Sequence, residues 1–294
     1  MQFETVKPIV FPTTLEQVTD EQLAKFGELI YQRTGIRVSP QKKTLLSNRL
    51  RRRLRDTGIK DFGDYYQYLK SLPNNDPEWD AFLQEITTHE TYLFRDEKQW
   101  EWFSNEYLPG LAAQACTPQQ RSLRIWSAAC STGDEAVTAA CCIAACLPNF
   151  NQWKIRILGT DIGLGAIEQA RAAVFGERAM RLVPESYRTR FFQKAKDANV
   201  WQARPVITAM LTFRQHNLLD RLREPPQDLV FLKNVLIYFD ADSKRRVVNN
   251  VREVIRPGGL LVCGAAEGVA ELLKDFVRLQ PWLYRKPHQA AHRV

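Results

Sequence analysis

Residues 123–161 read LRIWSAACSTGDEAVTAACCIAACLPNFNQWKIRILGTD. The apolar run 123–129 enters a turn of small residues, Cys130 to Asp134, which opens an alanine- and cysteine-rich helix running to about Leu147. A second apolar run, 154–160, closes on an acid, Asp161. Apolar runs alternating with helices predict strands of a parallel sheet covered on both faces. Ligands of such a sheet sit beyond the carboxyl ends of its strands, which brings the turn 130–134 and Asp161 to one site.

Downstream, strands at 211–215, 228–232 and 259–264 alternate with helices at 165–174 and 241–255. The turn Arg256-Pro257-Gly258-Gly259 precedes the last of these strands, and the tail FVRLQPWLYRK (276–286) reads as a final antiparallel strand pair. Residues 183–213 are mixed and polar and read as a small insertion. Upstream, Thr19 and Gln22 form a capping-box pattern, and Leu23, Phe26 and Ile30 recur at helical spacing until Gly35. Ser39-Pro40 reads as an N-cap followed by proline, before the stripe Leu46, Leu50, Leu54. Asp61 starts another helix, PNNDP (73–77) breaks it, and a short helix lies around Trp79, Phe82 and Ile86. A helix from Trp100 to Leu108 is expected to end before Pro109. The chain thus divides into an all-helical domain, 1–86, and an α/β domain, 87–294.

With 294 residues, 45% hydrophobic and 25% charged, the chain has the composition of an ordinary folded protein. No apolar stretch reaches the ~18 residues of a membrane span, and the N-terminus does not read as a signal peptide. A cytoplasmic location is expected. The six cysteines form no CxxC pair and have no histidine at metal-ligand spacing, which suits buried thiols and no metal. The net charge of +8 is concentrated: Lys42 to Lys60 holds eight basic residues against one acid, Asp56. Such a patch attracts an acidic partner.

An acid ending the second strand can take both hydroxyls of a ribose. The turn before it has one glycine, Gly133, so the GxGxxG that lets a backbone approach a pyrophosphate is absent, as is GxxxxGK[ST]. A nucleoside without phosphates, such as S-adenosylmethionine, fits better than NAD or ATP.

Six segments, taken together, are far more specific: ITTHETYLFRD (86–96), RIWSAACSTGDEA (124–136), LGTDIGLGAIEQAR (158–171), NLLD (217–220), LKNVLIYFD (232–240) and RPGGLLVCGAAE (256–267). In order and spacing they resemble the CheR family of chemoreceptor methyltransferases, over about residues 20–285. The resemblance implies a Rossmann-like class I methyltransferase domain with a small inserted β-subdomain, preceded by an all-helical N-terminal domain. It implies methyl transfer from S-adenosylmethionine to glutamate side chains of chemotaxis-type receptors, leaving S-adenosylhomocysteine. Carried over by position, His89, Thr91 and Arg95 border the cofactor and its methyl group. Glu135 and Asp161 hold its amino-acid end or ribose, Asn217 and Leu218 frame the adenine, Asn234 and Val235 contact the methionine portion, and Tyr238 sits beside the methyl. The chain departs from the family pattern with His89 for Asn, Asp134 for Glu, Ala136-Val137 for Pro-Tyr, and Gly264-Ala265-Ala266-Glu267 for Gly-His-Ser-Glu.

A glutamate with a pKa of about 4.3 is ionised near neutral pH and attacks a sulfonium methyl without a general base. Arg95 is then the candidate for steering the carboxylate, and Tyr238 for supporting the methyl site. The basic helix 40–56, with Arg49, Arg52, Arg53 and Arg55, is expected to meet the acidic methylation helices of a receptor. Relatives that dock on a peptide tether at a receptor C-terminus resemble one another in a glycine-containing loop of the β-subdomain. The matching stretch here, 192–201, has no glycine, so no C-terminal pentapeptide tether is expected. Two other readings remain: a nucleic-acid methyltransferase, against which NVLIYF replaces the usual (D/N)PP(Y/F), and a cofactor-binding regulator without catalysis. Neither nucleic acid nor membrane insertion is expected.

Overall fold

The computed structural model describes residues 17–196, 199–264 and 266–288. Its first layer is four helices: α1 (Asp20–Thr34), α2 (Lys43–Thr57), α3 (Phe62–Ser71) and α4 (Pro77–Ile86). Thr19 and Gln22 close the capping box on α1, and Gly35 ends that helix at φ 72°. Asp61 and Asp76 cap α3 and α4 through their side chains. Ser39 does not cap α2, because Pro40 first starts a 3₁₀ turn, Pro40–Lys42. The apolar stripes meet in one core, where Phe26, Leu50, Tyr65, Leu69 and Phe82 are wholly buried.

Ten strands follow: β1 (Ser122–Ala128), β2 (Lys154–Asp161), β3 (Val174–Gly176), β4 (Phe192–Lys194), β5 (Val200–Ala203), β6 (Leu211–Gln215), β7 (Gln227–Leu232), β8 (Ile255–Cys263), β9 (Val277–Gln280) and β10 (Leu283–Arg285). Seven of them form a sheet ordered β6-β2-β1-β7-β8-β10-β9, parallel from β6 to β8 and antiparallel at β10 and β9. Alternate residues of β1 face opposite layers. Ile125 packs in the cluster with the helix Asp134–Cys146, and Trp126 in the cluster with the helix Ala241–Val254. Order reverses on either side of β1, so the crevice of this sheet opens beyond the ends of β1, β2 and β7.

Three expectations need correction. Pro109 does not end its helix: one π turn, Phe103–Tyr107, lets Leu108 N–H reach Phe103 O, and Pro109 falls on the first turn of the segment Leu108–Gln114. There its missing amide proton breaks little. The small antiparallel sheet, ordered β3-β5-β4, starts at Val174 rather than 183 and ends at Ala203, because residues 211–213 belong to β6. A three-residue strand such as β3 is too short to leave a periodic signal. Finally, Arg256 to Gly259 lies inside β8 as an irregularity between the pairs Gln227–Ile255 and Leu229–Leu260, with Gly258 at φ 74°. Among the described residues, no helix is long and apolar enough to cross a membrane, and no cluster of His, Cys, Asp and Glu could hold a metal.

Candidate functional site

At the ends of β1, β2 and β7 a cleft runs between the two domains. His89, Thr91, Arg95, Glu135, Asp161, Asn217, Leu218, Asn234, Val235 and Tyr238 all line it. So do Thr34, Arg37 and Leu46 of the helical domain, which therefore roofs the cleft.

The floor is the strained turn after β1. Ala129 and Ser131 have φ of 58° and 52°, and Gly133 has 88°. A side chain at Gly133 would also meet Ala170, with a Cβ–Cβ distance of 2.9 Å, so this turn requires glycine there. Asn234 (φ 58°), Phe94 (60°) and Asp96 (66°) add left-handed residues in the loops around the cleft. Such strain persists where the surroundings over-determine the backbone, as they do at binding sites.

Asp161 is buried, and two backbone amides hold it. Its Oδ2 accepts from Ser131 N–H at 2.8 Å and its Oδ1 from Gly163 N–H at 2.9 Å. Capping the turn into the next helix and facing the cleft are thus one arrangement, because each oxygen keeps a lone pair. Glu135 accepts from Ser127 Oγ at 2.7 Å and pairs with Lys233 Nζ at 3.4 Å. Lys233 also meets Asp96 at 3.0 Å, and its side chain is only 3% exposed. This lysine ties Glu135, on the first turn of the helix Asp134–Cys146, to the segment 86–96 that carries Arg95. Arg95 itself donates to Glu90 O at 3.1 Å, and no carboxylate pairs with it among the described residues.

Asn234 and Val235 owe their positions to Glu267, whose carboxylate accepts from the Val235 amide at 3.1 Å. Burial pushes the Glu267 carboxyl up, and these backbone amides pull it down. Ala265, within the altered 264–267 segment, lies outside the described residues. Neither Lys233 nor Glu267 is singled out by sequence reading, although both lie in the quoted motifs. A lysine at the end of a buried strand is itself a signal that acids wait nearby.

Asn217 lines the cleft as expected of a residue beside the adenine, and it has a second role. Its amide donates to Arg33 O at 2.7 Å and accepts from Leu219 N–H at 3.0 Å, so the side chain joins the domains and both its polar ends are in use. The basic helix differs from expectation. Arg53, 12% exposed, makes a two-point pair with Glu78 at 3.0 and 2.7 Å and meets Asp56 at 2.7 Å, and Tyr65 donates to the Glu78 carboxylate at 2.6 Å. Arg49 turns inward to Ile86 O and to Thr88 Oγ1, and burial lowers its pKa. Arg53 is engaged by α4, while Arg49 turns toward the 86–88 segment and the cleft, which it lines. Arg52 is 60% exposed with Glu85 at 3.1 Å, and Arg55 is exposed.

Two polar atoms lining the cleft, Ser131 Oγ and His216 Nε2, are buried without a partner among the described residues. Buried polar groups are ordinarily hydrogen-bonded, and these two have a bonding position free toward the cleft. A paired acid, a fixed acid beside a strained turn, and an apolar roof fit a nucleoside carrying an amino-acid tail.

Comparison with known proteins agrees. Residues 21–87 match the CheR methyltransferase all-alpha domain and residues 89–281 the CheR methyltransferase SAM-binding domain. The chain is 34% identical to chemotaxis protein methyltransferase 1 of Pseudomonas aeruginosa over 252 residues, covering 84% of this chain and 89% of that one. It is 31% identical to the chemotaxis protein methyltransferase of Klebsiella aerogenes over 263 residues, covering 88% and 87%. With that of Borreliella burgdorferi it shares 28% identity over 272 residues, covering 92% and 95%. This chain belongs to the CheR methyltransferase family and is an S-adenosylmethionine-dependent methyltransferase of the chemotaxis type.

Proposed function

We propose that this chain esterifies glutamate side chains on the cytoplasmic methylation helices of chemoreceptors. The cofactor supplies an electrophilic methyl group and leaves as S-adenosylhomocysteine. The observation that carries the reading is that every carboxylate lining the cleft is already held. Glu90 is held by Arg178, Glu135 by Ser127 and Lys233, and Asp161 by two amides. An ionised glutamate carries no proton to remove, so its reaction asks for no base from these held carboxylates, whereas an amine or hydroxyl nucleophile would need one.

Arg95 orients the incoming carboxylate by its fork of donors. Tyr238 borders the methyl, with Lys42 Nζ 5.3 Å from its ring centre, which adds positive charge at the mouth. The roof from the helical domain excludes water, which favours a reaction that neutralises opposite charges. Arg52 and Arg55 meet the acidic helix. No peptide tether is used: β4 and β5 carry Lys194 and Trp201, whose ring centre lies 5.3 Å from Lys194 Nζ, where a docking strand would have to approach. Asp197 and Ala198 of that stretch lie outside the described residues. The enzyme works in the cytoplasm, without nucleic acid.

The test is transfer from radiolabelled cofactor to receptor-bearing membranes and, separately, to nucleic acid. Label should enter receptor and be released by mild alkali, as a methyl ester requires. Receptors cut at the C-terminal tail should be methylated at the uncut rate. Alkali-stable label, or label on nucleic acid, removes the glutamate reading, and a collapse in rate on cutting the tail removes the tether-free one.

A further inference from the structure

His89 stands where the cleft meets both domains, and its hydrogen bonds determine which of its nitrogens carries the proton. Thr87 Oγ1 lies 2.7 Å from Leu83 O and 2.6 Å from His89 Nε2. A hydroxyl has one proton, and a carbonyl oxygen can only accept. The arrangement with a proton in each contact has Thr87 donating to Leu83 O and His89 Nε2–H donating to Thr87 Oγ1. Neutral His89 then has a bare Nδ1, and that atom lies 3.8 Å from Asp161 Oδ1.

The two acceptors face each other with no donor between them among the described residues. They suit a ligand with two adjacent donors. A vicinal diol offers one proton to each, whereas a single hydroxyl can satisfy only one. The ring is fixed in this pose: a Cβ placed on Gly163 would lie 2.8 Å from His89 Cε1, so imidazole and backbone are in close contact. The Asp161 carboxylate is equally fixed by its two amides.

We propose that His89 Nδ1 is the second acceptor for the cofactor's ribose hydroxyls, beside Asp161, and that protonating it closes the ribose site. This rests on the cleft being the cofactor site with Asp161 on the ribose. A proton on Nδ1 removes one acceptor and turns the ring into a donor aimed at Asp161, which occupies the other. The charged groups acting on the ring are Asp161 from β2, which favours the imidazolium, and Arg49 from α2, which opposes it. Burial outweighs both and keeps the ring neutral to lower pH than an ordinary histidine. The sign follows: bound cofactor requires the neutral ring, so affinity is full above the His89 pKa and falls as pH drops through it. That window lies below about 6.5.

The test uses the full chain in two measurements. Nitrogen NMR of the cofactor-free protein at pH 8 should find His89 as the Nε2–H tautomer. Calorimetry with S-adenosylhomocysteine and its 2′-deoxy and 3′-deoxy analogues should then run from pH 8 to pH 5. For the parent compound, affinity should fall up to tenfold per pH unit below the His89 pKa, and the ratio of parent to deoxy affinity should shrink. In His89→Asn, which cannot titrate, the acid-side slope and the change in that ratio should both disappear. An Nδ1–H tautomer, or a slope that survives in His89→Asn, overturns the proposal. Equal affinity for parent and deoxy compounds at pH 8 would instead overturn the ribose reading of the cleft, and the proposal with it.

Discussion

At the scale of single residues, Lys233 is a buried cation with two acids at its ammonium. Its ammonium sits between Asp96 and Glu135, 5.4 Å from the ring centre of Trp100, with its side chain almost wholly buried. Removing one member of a buried ion pair leaves the other uncompensated, which costs about 3 kcal/mol or more. Lys233→Met keeps the stem and deletes the charge. It should lower the melting temperature and weaken cofactor binding at least tenfold, because Glu135 and the loop bearing Arg95 lose their common anchor. Lys233→Arg, which keeps the charge, should recover most of the affinity. Unchanged calorimetric affinity in a folded Lys233→Met protein would make the lysine a stability residue only. The role is hard to see in the sequence because its partners lie 98 and 137 positions upstream. Asp161 is easier, since a single acid ending a strand already marks the crevice. The tautomer of His89 was illegible for a different reason: Thr87 and Leu83 are close in sequence, but the contacts that share their proton exist only once the helix end has formed.

At the scale of elements, caps and periodic stripes were readable, because they depend on residues within one or two turns. The capping box of α1 and the leucine stripe of α2 are of this kind. The π turn before Pro109 and the three-residue strand β3 are not, since packing against the rest of the fold decides them. The same distinction divides the basic residues of α2. Sequence sees a run of positive charge, and three-dimensional packing separates Arg49 and Arg53, turned inward, from Arg52 and Arg55, turned out. Two substitutions should therefore behave oppositely. Reversing Arg52 and Arg55 to Glu should slow receptor methylation and flatten its salt dependence, with cofactor affinity intact. Arg53→Ala should instead destabilise the helical domain by about 3 kcal/mol, since Glu78 is only 10% exposed and would keep Tyr65 but lose its only cationic partner among the described residues. Stopped-time methylation at several salt concentrations, beside thermal melts, reads both. Wild-type receptor kinetics in the double reversal would reduce this face of α2 to a solvated surface.

At the scale of the whole molecule, the cleft is a joint. Ile36 and Phe239 form an antiparallel bridge across the domains, and Arg37 N–H donates to Tyr238 O at 3.2 Å. Arg37 pairs with Asp240 at 3.0 Å, and Asn217 reaches Arg33 O. The exposed Arg37–Asp240 pair contributes little energy, yet the backbone contacts fix the roof directly over the ends of β2 and β7. Residues of both sides of the joint line the cleft, so a cofactor bound there would touch both. A ligand that binds only the closed arrangement stabilises it by about 2.7 kcal/mol at a hundredfold excess over Kd. Local opening of the joint should become rarer by the corresponding factor of about a hundred. Hydrogen exchange on the full chain, with and without S-adenosylhomocysteine, measures this. Protection is expected in residues 34–38 of the helical domain as well as at the tips of β1 and β2 and in 234–239. Protection confined to residues beyond 121, with 34–38 unchanged, would mean that the helical domain lies over the cleft without sharing in cofactor binding.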